Sequence, residues 1–272
     1  MLRNLLLLAL VAMVAVGCSR LTFVKPNLKR HGYQQVAPEY NIREDDRASK
    51  GRMAAIDRVS LAEQRLRAGQ LDEAEAEVRA ALKADAKSAD AYTLMAMIEE
   101  QRGHAAQAGG NYAKAVELEP ARGALLNNYG AWLCGNGHAV ESLALFDRAL
   151  ADPGYATPAA ALANAGSCAL TAGQTARAER DLHNALALDP ASPLALAAMA
   201  DSEYRAGRYL QARAFSERRL ASAPATAQVL QLASQIENKL GDTAAAARYV
   251  QRMGAEFPEQ GRDSRPGDAS QR

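Results

Sequence analysis

Three cysteines and four histidines are the side chains of this sequence best suited to bond-making or metal chemistry. A metal site needs ligands that converge on one point, and His31, His104, His138 and His183 are spread along the chain. His104 and His138 each follow a turn glycine, in equivalent places of two separate units, and His183 falls on an outer helix. Gly135-Asn136-Gly137 is half of a phosphate-binding loop, but no strand precedes it. Ser167 stands in Gly166-Ser167-Cys168, without the second glycine and the strand-to-helix turn that expose a nucleophilic serine. The carboxylate pairs Glu99-Glu100 and Asp45-Asp46 suit solvated faces. No catalytic set, metal site or cofactor is expected, so the chain is read as a protein without enzymatic activity.

The elements that must position these residues are legible in the stretch Leu125 to Pro153. Apolar residues recur there at three- and four-residue spacing on either side of the glycine break, which predicts a helical hairpin. Gly130 and Ser142 face each other across it, with Tyr129, Leu133, Phe146 and Ala149 completing the contact. That is the pattern of a tetratricopeptide repeat. Equivalent positions follow at Ala74, Ala108, Ser142, Ala178, Ala212 and Ala246, each five residues after a glycine: Gly69, Gly103, Gly137, Gly173, Gly207 and Gly241. A small residue lies seven before each glycine, at Ala62, Ala96, Gly130, Gly166, Ala200 and Ser234, and prolines close units at Pro120, Pro190, Pro224 and Pro258. The period is interrupted once, by two extra residues in the connection Pro153–Pro158. Arg219 and Met253 stand where the pattern expects alanine. The fold class expected is all-α: a right-handed superhelical solenoid of six repeats, about twelve antiparallel helices, over residues 54–259. Hydrophobic content of 49% with only 5% aromatic residues makes Ala, Leu and Val the expected core.

Within this phase Cys134 and Cys168 fall late in the first helices of adjacent repeats, which pack side by side in such solenoids. They are expected to form a disulfide in an exported protein; two buried thiols are the alternative.

Residues 1–17 are a different object. Arg3 precedes an apolar run from Leu5 to Val16, too short to cross a bilayer and suited to the core of a signal peptide. Ala15-Val16-Gly17-Cys18 resembles the bacterial lipobox, so Cys18 is the expected lipidation site, carrying acyl chains such as palmitate; an ordinary secretory signal is the alternative. Ser19 in place of aspartate implies sorting to the outer membrane, on its periplasmic face. Residues 18–53 read as a lipidated start and flexible tether, basic at Arg20, Lys25, Lys29 and Arg30, and 260–272 as a disordered tail. Loss of Arg3 would leave 31 basic against 31 acidic residues, so no global charge points to nucleic acid.

Three strings carry a family resemblance: Asn127-Asn128-Tyr129-Gly130-Ala131-Trp132-Leu133-Cys134, Tyr155-Ala156-Thr157-Pro158, and Asn164-Ala165-Gly166-Ser167-Cys168. With the lipobox they resemble the type IV pilus biogenesis lipoproteins PilF and PilW. The resemblance implies a pilotin, which binds the pilus secretin, escorts it to the outer membrane and promotes its multimerisation. The lipoprotein sorting machinery and the membrane itself, through the acyl chains, would be its other partners. A lipid-anchored scaffold for outer-membrane protein assembly or peptidoglycan hydrolase control is the alternative. Repeat phase assigns Ile56, Val59, Glu63, Leu66 and Arg67 to the partner groove of the first unit, and Asp90, Thr93, Met97 and Glu100 to that of the second. Asn127, Ala131, Ala160, Ala163 and Ser167 continue it as a small-residue surface, and Gln228, Gln231, Gln235 and Asn238 as a polar floor.

Overall fold

The computed structural model describes residues 42–258, with side chains placed from Asp46 onward. The readings that concern the signal peptide, Cys18, His31, the tether before Ile42 and the tail lie outside these residues. Among the described residues every regular element is a helix. In chain order they are α1 (Ile42–Arg67), α2 (Leu71–Ala84), α3 (Ala89–Gln101), α4 (Ala105–Leu118), α5 (Gly123–Gly135) and α6 (Ala139–Leu150). There follow α7 (Pro158–Thr171), α8 (Thr175–Leu188), α9 (Pro193–Arg205), α10 (Tyr209–Ser222), α11 (Ala227–Leu240) and α12 (Thr243–Glu256). Odd-numbered helices open the six repeats and even-numbered helices close them; no helix among the described residues is long and apolar enough to cross a membrane.

The hairpins are shaped by their glycines. Gly69, Gly103, Gly137, Gly173, Gly207 and Gly241 all have φ between +73° and +89°, the left-handed region that costs a side-chain-bearing residue about 1 to 2 kcal/mol. At each, the following residue donates its N–H back over the turn, as in His104 to Glu99 O at 2.8 Å and His138 to Leu133 O at 2.8 Å. This bond satisfies a helix-terminal carbonyl and turns the chain sharply. Several helices begin with a side-chain cap: Ser88, Ser192, Thr226 and Asp242 accept from the N–H three residues on.

Small residues then set how closely the two helices approach. A Cβ on Gly130 would lie 2.8 Å from the buried Phe146 ring, and one on Gly166 would lie 2.6 Å from Leu182 Cγ. Ser142 is fully buried and donates its hydroxyl to Ala139 O at 2.7 Å, so its polar atom costs little inside the contact. Each helix packs on the next. First helices of neighbouring repeats also approach backbone to backbone (α3 on α5, α5 on α7, α7 on α9, α9 on α11), whereas second helices among the described residues meet through long side chains, such as Arg177 of α8 on Asp147 of α6. The stack is therefore shorter on the first-helix side, which becomes the inner face.

Three features differ from the sequence reading or fill a gap in it. The flexible tether to residue 53 is corrected over its last part, because α1 begins at Ile42. Residues 42–53 lack an apolar stripe, but extending an already nucleated helix costs far less than starting one, and Arg, Glu and Lys propagate it well. Arg219 takes the place of alanine without a buried unpaired charge, since its guanidinium donates to Ala223 O at 3.1 Å and Pro224 O at 3.2 Å. It caps the carbonyls that end repeat five. The two-residue insertion is held by Asp152, whose carboxylate accepts from Gly123 N at 2.7 Å and Gly154 N at 2.8 Å. These two donors, Gly123 first, hold the Asp152 pKa below its ordinary value.

Candidate partner-binding surface

The inner face is built from one stripe of each first helix. On α1 two stripes run side by side. Ala55, Val59, Ala62 and Leu66 form one, and pack with Ala74, Val78, Leu94 and Ile98 in a single core cluster. Met53, Ile56, Glu63 and Arg67 form the other and stay in solvent. The groove positions expected from repeat phase therefore divide. Val59 (9% exposed) and Leu66 (7%) are core residues and are corrected, because α1 packs against both α2 and α3, which together cover the stripe that carries them. Thr93 (8%) is buried too, its hydroxyl donating to Ala89 O at 3.1 Å, and Ala163 (1%) packs among Leu182, Ala185 and Met199. Ile56 (60%) and Met97 (37%) are open, and Met53 (63%), one turn before Ile56, joins them. Met53 was missed because it falls in a segment read as tether; its three-residue spacing from Ile56 was the available signal.

Polar residues around these side chains are largely engaged. Asp90 pairs with Arg122 at 2.8 Å, tying α3 to the start of α5. Glu63 lies 3.7 Å from Arg67. Glu100 accepts from the Tyr112 hydroxyl of α4 at 2.6 Å; burial, and then the Glu100 carboxylate, push the Tyr112 pKa far up, so the phenol stays a donor at any physiological pH.

Across repeats three and four the inner face is made of half-buried small and amide side chains. Asn127, Ala131 and Ser167 are half-buried, Ala160 is exposed, and Asn164 donates to Asn127 Oδ1 at 2.9 Å between α5 and α7. At the other end of the same helix pair a disulfide joins Cys134 to Cys168, with Cα atoms 5.8 Å apart. Trp132 lies over Gly109, where a Cβ would come within 2.3 Å of the indole, and stacks at 6.0 Å with Tyr129. Further on, α9 and α11 enclose a cleft of about 440 Å³ between Ala197, Asp201 and Arg205 on one side and Gln228, Gln231 and Gln235 on the other, above Val229 and Leu232. Asn238 is exposed beyond it.

No model of a known protein family matches the chain. The solved structure of PilW, a type IV pilus biogenesis factor, is 31% identical and superimposes with a TM-score of 0.69, covering 77% of this chain and 97% of PilW. The chain belongs to the PilF/PilW family of type IV pilus biogenesis proteins. The type IV pilus assembly protein PilF of Pseudomonas aeruginosa is 26% identical over 213 residues, 78% of this chain and 84% of that protein. A solved Pseudomonas aeruginosa PilF structure, 24% identical with a TM-score of 0.66 over 78% of this chain, agrees in fold.

For a PilF/PilW-family chain the remaining candidates for chemistry have ordinary structural partners. His104 meets Glu99 at 2.6 Å and His138 meets Glu141 at 3.3 Å, each beside its own turn, while His183 contacts the Glu179 carbonyl at 2.7 Å. Among the described residues no group of three His, Cys, Asp or Glu converges as a metal site. Gly137 is a turn residue, Ser167 sits inside α7, and Glu99 and Glu100 are taken up by His104 and Tyr112. This PilF/PilW-family surface carries exposed apolar side chains at one end, at Met53, Ile56 and Met97, and small and amide side chains beyond them.

Proposed function

We propose that the chain is an outer-membrane lipoprotein, a pilotin, that binds the type IV pilus secretin through the inner face of its first two repeats and promotes its localisation and multimerisation. The observation that carries this reading is the set of apolar side chains left in solvent on the first helices of repeats one and two, Met53 and Ile56 on α1 and Met97 on α3, in a family member whose relatives serve pilus biogenesis. Exposed apolar side chains favour a partner's apolar segment, because their burial is worth about 25 cal/mol per Å². Position would come from Cys18: two or more acyl chains hold a protein at a membrane where one would not. The sorting machinery would deliver it, with Ser19 permitting export, and the repeats would then hold the secretin near the bilayer it must enter.

The test replaces open positions, not core ones. Ile56→Asp with Met97→Asp would set a charge in the contact once it is desolvated, at a cost of several kcal/mol. A micromolar complex is worth only about 8 kcal/mol, so it would be lost or gravely weakened. The expected result is a helical, correctly anchored protein in cells whose secretin stays monomeric on gels that preserve its multimers. Normal multimers in that strain, with an unchanged circular dichroism spectrum, would remove this face as the binding site.

A further inference from the structure

The cleft of repeats five and six holds the polar floor expected from repeat phase, differs in chemistry from the exposed Met53, Ile56 and Met97, and is not used by the proposed secretin contact. Its two ionic side chains, Asp201 and Arg205, neutralise each other at 2.8 Å. The other polar groups are the amides of Gln228, Gln231 and Gln235, all exposed, and none of the three is hydrogen-bonded to another side chain or backbone group among the described residues. A site with no net charge gives a charged ligand no long-range attraction to offset the loss of its hydration. A primary amide, with its donors and its acceptor, matches the N–H and C=O of a peptide group.

The spacing fits as well. Gln231 and Gln235 are four residues apart on α11, about 6 Å along the helix axis. Backbone groups that face one way along an extended chain recur every second residue, about 6.6 to 6.8 Å. Two flexible glutamine side chains absorb that difference. Ala197 opposite leaves space for a main chain to come close, and the cleft holds about 440 Å³.

We propose that this cleft binds an extended, uncharged polypeptide segment through its backbone, with Gln231 and Gln235 pairing to alternate peptide groups. It is a docking site separate from the exposed Met53, Ile56 and Met97, and stands whether or not those side chains hold a secretin.

The experiment pans a phage-displayed random dodecapeptide library against the full chain in detergent micelles, then measures the best enriched sequence as a fluorescein-labelled peptide by anisotropy. Enriched peptides are expected to share an uncharged run of at least four residues. Gln231→Glu with Gln235→Glu, and separately Gln231→Ala with Gln235→Ala, should each weaken binding at least tenfold while the helical spectrum is unchanged. Methylating alternate backbone nitrogens of the peptide should do the same, and Ile56→Asp with Met97→Asp should not. A charged consensus, no enrichment over the bare support, or binding indifferent to the glutamine variants or to N-methylation overturns the proposal. So does binding that is lost in the Ile56 and Met97 variant instead.

Discussion

Gly166 and Asp152 show what a single residue decides here. A Cβ at Gly166 would lie 2.6 Å from Leu182 Cγ and 3.1 Å from the Leu182 backbone nitrogen. Gly166→Ala gains about 1 kcal/mol of helix propensity, but forcing α8 away from α7 costs about 1 to 3 kcal/mol. The net expected change is a loss of up to about 2 kcal/mol, read from urea unfolding. Asp152 belongs to the acid side of the pH profile. Its folded pKa is depressed by the Gly123 and Gly154 N–H groups, so the stability it contributes is fully present above its ordinary value of 3.8 and disappears as pH falls through the lower, folded value. Asp152→Asn should therefore be less stable than the parent at neutral pH, with the gap closing below pH 3.8. A constant gap over the whole range would show that the charge is not what Gly123 binds. Val59 and Leu66 make the third case. Because both are core residues, Asp at either site should unfold repeat one and report nothing about a partner.

At the scale of elements, α5 and α7 are tied twice, by the Asn127–Asn164 hydrogen bond and by the disulfide. The bridge closes a loop with a sequence separation of 34 residues. On the chain-entropy account such a loop is worth about 3 to 4 kcal/mol. Cys134→Ser with Cys168→Ser should lower the unfolding free energy by about that amount, and adding reductant to the double variant should change nothing further. The helix ends of these elements were legible in the sequence because they are local: glycine permits a positive φ wherever it falls, and the pattern of small and apolar residues counts turns directly. The start of α1 was not, since its first turns are held by continuity with a packed helix and carry no stripe of their own.

For the repeat unit as a whole, ion pairs run between neighbours. Arg102, at the end of α3, meets Asp72 and Glu75 of α2 at 2.6 Å each, and Arg177 of α8 meets Asp147 of α6 at 2.6 Å. In a stack where each repeat touches only those beside it, such links govern how opening spreads. Arg102→Ala should raise amide exchange in α1 and α2 while leaving α5 to α8, the disulfide-stapled centre, as protected as before. The effect should shrink at high salt, because these pairs are partly open to water. At the level of the cell, Cys18→Ser is expected to release a folded protein into the soluble periplasmic fraction; retention in the outer-membrane fraction with unchanged mass would dispose of the anchor.

By itself the sequence determined the number of repeats, their turns, the small-residue contact inside each hairpin and the family. The first three follow from backbone freedom at glycine and from a period of 3.6 residues, which act over a few positions and repeat six times; the family followed from the resemblance of the strings Asn127–Cys134, Tyr155–Pro158 and Asn164–Cys168. Tertiary structure alone decided which inner-face side chains are open. Val59 and Ile56 are three residues apart on one helix, yet one is covered and the other is not, because α1 has two neighbours whose combined footprint is wider than a single stripe. It also decided how Arg219 could replace an alanine, since the Ala223 and Pro224 carbonyls that receive its guanidinium come within reach only when the chain turns after α10. Burial is a property of the neighbours a residue acquires, and those are set by the stacking of whole helices, not by the spacing along any one of them.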